Sequence, residues 1–108
     1  MARSFAHTVS VSGSPSDAQA RLRGVVTERL RRSAKMRLAG AEPNSLTFRP
    51  LWRWPLIVAL YRQVSGEAIH VTFSAAEGGT QVAVSGKVSG NAEAVADQEF
   101  WTEALNAA

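Results

Sequence analysis

The chain has 108 residues, 45% of them hydrophobic and 19% charged, with a net charge of +3. That length fits one domain, and the composition is that of a globule rather than a disordered chain or a coiled coil. The absence of cysteine excludes disulfide scaffolds, thiolate nucleophiles and cysteine metal sites.

Phe5, His7, Val9 and Val11 alternate with Ala6, Thr8, Ser10 and Ser12. Period two predicts a half-buried strand. Ser14, Pro15 and Asp17 then form a helix-start signature of cap, first-turn proline and first-turn acid. Ala18, Leu22, Val25, Val26 and Leu30 follow at helical spacing, which predicts a helix over 15–32. A second strand is expected over Ala34–Leu38, then a turn at Gly40-Ala41-Glu42-Pro43-Asn44. Leu46 and Phe48 mark a third strand, which Pro50 ends.

Segment 51–64 admits two readings. Pro55 can open a short helix that Gly66 closes, with Leu56, Leu60 and Val64 on one face. The β-branched pair Ile57-Val58 allows a strand instead. Beyond it, Ile69, Val71 and Phe73 and then Val82, Val84 and Val88 flank Glu77-Gly78-Gly79-Thr80, the pattern of a β-hairpin. Asn91 is the expected cap of a closing helix over 91–106, burying Val95, Phe100, Trp101, Ala104 and Leu105. The fold class is therefore α+β: an antiparallel sheet of about five strands with two long helices on one face, in the order β-α-β-β-[short helix]-β-β-α.

This order is similar to the β-α-β4-α layout of TATA-binding-protein-like and helix-grip domains. The stretch Glu77-Gly78-Gly79-Thr80-Gln81-Val82-Ala83-Val84, followed by Phe100-Trp101 in the closing helix, resembles the end of START/polyketide-cyclase-type proteins. The opening strand running into Ser14-Pro15-Ser16-Asp17-Ala18 resembles their beginning. The resemblance implies a cavity between sheet and helices for a small hydrophobic ligand or lipid. No catalytic residue carries over by match.

Enzyme signals are weak. No phosphate loop, dinucleotide fingerprint, metalloprotease or calcium-loop spacing occurs, so catalytic residues, cofactors and metal are each expected to be none. Alternation puts His7 and His70 on opposite sheet faces, which argues against a shared metal. His7 sits on the apolar face of its strand, and Arg29 falls inside the apolar stripe of its helix, so these two are the candidate ligand-binding residues. The ordinary readings are a partly buried histidine and an arginine that snorkels or pairs with an acid.

The charge is uneven. Residues 1–62 hold eleven basic and three acidic residues; residues 63–108 hold one basic and six acidic. Pairing between halves or between copies is one consequence, and contact with nucleic acid or a membrane surface is another. Arg21, Arg32, Lys35, Arg37 and Arg49 form the candidate basic patch. Base stacking on the polar sheet face is not supported, because that face lacks aromatics. Trp52, Arg53, Trp54, Leu56, Ile57, Leu60 and Tyr61 form the candidate contact for a partner or a membrane.

The longest apolar run, Leu56 to Tyr61, is far short of the roughly 20 residues that a transmembrane helix needs. With no secretory signal visible, a cytoplasmic location is the default expectation. The sequence reading is a non-catalytic interaction module that self-associates through 51–64, a homo-oligomer or the binder of a protein partner. Small-ligand or lipid binding near His7 and Arg29, and attachment to nucleic acid or a membrane through the basic half, are the alternatives.

Overall fold

The computed structural model describes residues 3–51 and 55–106. Five strands form one antiparallel sheet: β1 (Arg3–Val11), β2 (Met36–Glu42), β3 (Ser45–Pro50), β4 (Ala68–Ala76) and β5 (Gly79–Val88). Their order across the sheet is β1-β5-β4-β3-β2. Helix α1 (Pro15–Ala34) follows β1, α2 (Leu56–Val64) joins β3 to β4, and α3 (Gln98–Asn106) closes the chain. The expected α+β architecture is the one observed.

Helix α1 starts where the signature places it. The Ser14 side chain accepts the backbone N–H of Asp17, and Pro15 occupies the first helical position. Ala18, Leu22, Val26, Leu30 and Ala34 are buried at a strict four-residue interval. The helix runs two residues past the expected end because Ala34 continues that stripe. Lys35 then stops it in the left-handed conformation, its N–H bonded to the Leu30 carbonyl. Accordingly β2 begins at Met36 rather than Ala34. Its hairpin turns on Pro43-Asn44 alone, because Glu42 pairs with Ser45, and the expected five-residue turn shrinks to two.

The core lies between the sheet and the helices. Phe48, Phe73, Leu46, Ile69, Val71, Val82 and Val84 meet the α1 stripe and Trp101. The β4–β5 hairpin turns at Glu77-Gly78, where Gly78 takes a positive φ of 80°. Gly86 in β5 is required by a close approach, since a Cβ there would fall against the Ala68 carbonyl.

The closing helix differs from expectation. Residues Gly90–Ala96 form a 3-10 segment, Asp97 is extended, and only then does α3 begin. The carbonyls of Val95 and Ala96 do not continue the helix because side chains claim them. Trp101 donates its indole N–H to Val95 at 2.6 Å, and His7 Nε2 lies 2.5 Å from the Ala96 oxygen. Trp101 is stacked on Phe5 and edge-on to Phe100, so the break seats the largest side chain of the core.

Candidate functional site

The strands lie along one axis in alternating directions, so the connections collect at two ends of the molecule. At one end lie the close of α1, the start of β2, the end of β3, the start of β4 and the end of β5. Helix α2 sits there. The Leu51 N–H bonds the Lys35 carbonyl, and α2 packs against β3.

Helix α2 is built with its polarity reversed. Its buried residues are Ala59 and Arg62, one turn apart. Its outward residues are apolar: Ile57 is 82% exposed, Val64 86% and Tyr61 70%, with Leu56, Val58 and Leu60 also exposed. Every large apolar side chain exposed among the described residues belongs to this one helix. A helix at a protein surface ordinarily turns its apolar stripe to the core.

The inward face is anchored by a buried ion pair. Arg62 is 4% exposed and Glu67 is fully buried. The Arg62 Nε donates to Glu67 Oε1 at 3.0 Å, and an Nη donates to the Ala34 carbonyl at 2.9 Å. The Ser89 hydroxyl donates to Glu67 Oε2 at 2.9 Å, and the Glu67 N–H returns to the Arg62 carbonyl. One arginine thus ties α2 to the end of α1, and one glutamate ties it to the end of β5. Both ions keep partners away from water, as burial demands. Sequence reasoning did not single out Arg62 or Glu67. The available signal was a charge at helical spacing from a small residue, Ala59, with an acid just beyond the glycine that closes the helix.

The same end is basic. Lys35 and Arg49 are exposed there, and Arg37 faces Arg49 directly across the β2–β3 ladder. Lys87 faces Ala68 at the start of β4. Among the described residues, none of these four is paired with a carboxylate. Arg31 and Arg32 also lie at this end and share Glu28, at 2.7 and 3.0 Å.

The candidate basic patch is therefore redrawn. Arg32, Lys35, Arg37 and Arg49 are brought to one end, but Arg21 is not. It lies at the start of α1, donating to the Ser12 carbonyl. Arg21 and Arg32 share a direction around the helix axis, yet eleven residues separate them by about 16 Å along it. Trp52, Arg53 and Trp54 lie outside the described residues. Leu56, Ile57, Leu60 and Tyr61 are all exposed on α2.

His7 and Arg29 are not brought together. His7 faces the core side of β1, beside Phe5, and meets the Ala96 carbonyl. Arg29 reaches outward to Glu103 at 3.4 Å. A shallow groove of about 310 Å³ lies elsewhere, lined by Ser16, Gln19, Ala20, Arg23 and Pro43. His70 is exposed on the outer sheet face opposite Ser85, and among the described residues no cluster of three metal-ligating side chains occurs. Among the described residues, three ion pairs join the basic half of the chain to the acidic half: Arg3–Asp97, Arg29–Glu103 and Arg62–Glu67.

Among the described residues, no helix is long and apolar enough to cross a membrane. Comparison with known proteins gives no matching family model, curated protein or solved structure.

Proposed function

We propose that this chain is a non-catalytic docking module and that the outward face of α2 is its contact surface. One observation carries the reading: the apolar face of α2 is turned to solvent while its inward face holds a buried arginine. Covering an exposed isoleucine or valine is worth about 1.5–3 kcal/mol. Leaving several uncovered on one short helix is costly unless something covers them. The groups that titrate or could act as nucleophiles are scattered or engaged in structural bonds, which favours docking over catalysis.

The test is a photo-crosslinking amino acid placed at Ile57 in cells expressing the chain, with the same group at exposed Gln81 on the outer sheet face as control. A docking surface gives adducts at position 57 well above those at 81, whatever the occupant. Equal yields at the two positions would overturn the reading.

A further inference from the structure

The nature of the covering partner follows from which charges surround α2, and this step rests on the docking reading above. Three kinds of occupant have different requirements. A second copy would have to offer an apolar complement. Among the described residues, the only exposed large apolar side chains are those of α2 itself, so the apolar match is α2 against α2. A two-fold contact of that kind sets Lys35, Arg37 and Arg49 of one copy against the same residues of the other. Like charges placed face to face oppose association. A nucleic acid would use the cations and leave Ile57, Tyr61 and Val64 in water.

An anionic lipid surface uses both features at once. It takes an apolar helix face a few ångströms into the headgroup boundary, and it attracts cations flanking that face. The acidic residues at this end do not cancel the attraction. Glu67 is spent on Arg62, Glu28 on Arg31 and Arg32, and Asp97 on Arg3, while Glu93 stands on the 3-10 segment beyond β5. Tyr61, exposed with an apolar ring and a polar hydroxyl, is the residue type that settles at such an interface.

We propose that α2 docks on the headgroup layer of an anionic bilayer, with Ile57, Tyr61 and Val64 inserted and Lys35, Arg37 and Arg49 facing lipid phosphates. The buried Arg62–Glu67 pair holds the helix so that its apolar side faces the lipid rather than the core. Binding is peripheral and reversible, because a single short helix offers little apolar area.

The test is co-sedimentation of the full chain with vesicles of phosphatidylcholine alone and of phosphatidylcholine with about one-third phosphatidylglycerol. Light scattering at micromolar protein runs in parallel. Expected is binding to the anionic vesicles only, weakening between about 0.05 and 0.5 M salt. Ile57→Asp should lower vesicle affinity at least about tenfold. Arg49→Gln should lower it about fivefold, the effect of one cation near such a surface. Ile57→Leu should restore binding, and Gln81→Glu at the far end should leave it unchanged. All three sites are exposed, and thermal melts confirm that each variant folds.

Equal sedimentation with neutral and anionic vesicles, or none with either, overturns the lipid inference. If the chain forms dimers that Ile57→Asp dissociates, without binding vesicles, the docking surface stands and its partner is a second copy. If neither vesicles nor a second copy engages α2 and crosslinks at position 57 match the control, the docking reading itself falls.

Discussion

Removing one partner of the Arg62–Glu67 pair leaves an ion with no water around it. Arg62→Met is therefore expected to cost about 3–5 kcal/mol, read as a lower urea midpoint with an unchanged slope. Arg62→Met combined with Glu67→Met should recover much of that loss, because no charge is then stranded. A double variant as unstable as Arg62→Met would mean that the bond to Ala34, rather than the ion pair, fixes α2. At the surface, Glu28 behaves differently. Its hydrogen bond from Arg31, helped by the charges of Arg31 and Arg32, holds its carboxyl below the ordinary carboxylate range. The folded-state value lies below the unfolded one, so this stabilisation is present above the unfolded value and is lost as pH falls through the folded one. Glu28→Gln should therefore lower the melting temperature slightly at neutral pH and converge with the parent as pH falls through the lowered folded-state value of Glu28. A constant offset down to acid pH would show that the carboxylate charge is not the source.

At the scale of elements, legibility in the sequence follows what each element packs against. Strands β1, β4 and β5 are readable because each buries one face, so their apolar residues alternate. Helix α1 is readable because Ser14, Pro15 and Asp17 mark its start and one stripe meets the sheet. Segment 56–64 resists that logic. Its apolar residues surround most of the helix, so periodicity cannot say which side faces the core, and Arg62 goes inward only because Glu67 and Ala34 await it. The break before α3 is equally hidden. Ala92–Ala96 suits a helix, and the carbonyls of Val95 and Ala96 are taken by Trp101 and by His7, nearly ninety residues away in sequence. Trp101→Phe keeps most of the buried ring but strands the Val95 carbonyl. It is expected to cost about 1–3 kcal/mol in urea unfolding, with faster amide exchange over residues 95–101. Unchanged exchange there would show that backbone packing alone sets the break.

For the molecule as a whole, three ion pairs among the described residues join the two halves of the sequence, and Lys35, Arg37, Arg49 and Lys87 gather at one end while Arg21 stays at the other. That arrangement was not legible as a list of basic residues. Arg21 and Arg49 look equivalent in the sequence, and only the antiparallel order sends one to each end. The same end carries the apolar surface that folding did not use. A domain of this size buries a smaller share of its surface than a large one and relies on its large apolar side chains. Leaving Leu56, Ile57, Leu60, Tyr61 and Val64 outside its core therefore separates their role from stability, and this separation can be measured. Replacing Ile57 and Val64 together by serine should change unfolding free energy by no more than about 0.5 kcal/mol per site, while raising solubility and abolishing crosslinking at neighbouring Tyr61. Leu22→Ala in the buried stripe of α1 should by contrast cost about 2–5 kcal/mol. If the serine pair instead destabilised the chain as much as Leu22→Ala does, those side chains would be part of the core in solution, and α2 would not be a surface held ready for a partner.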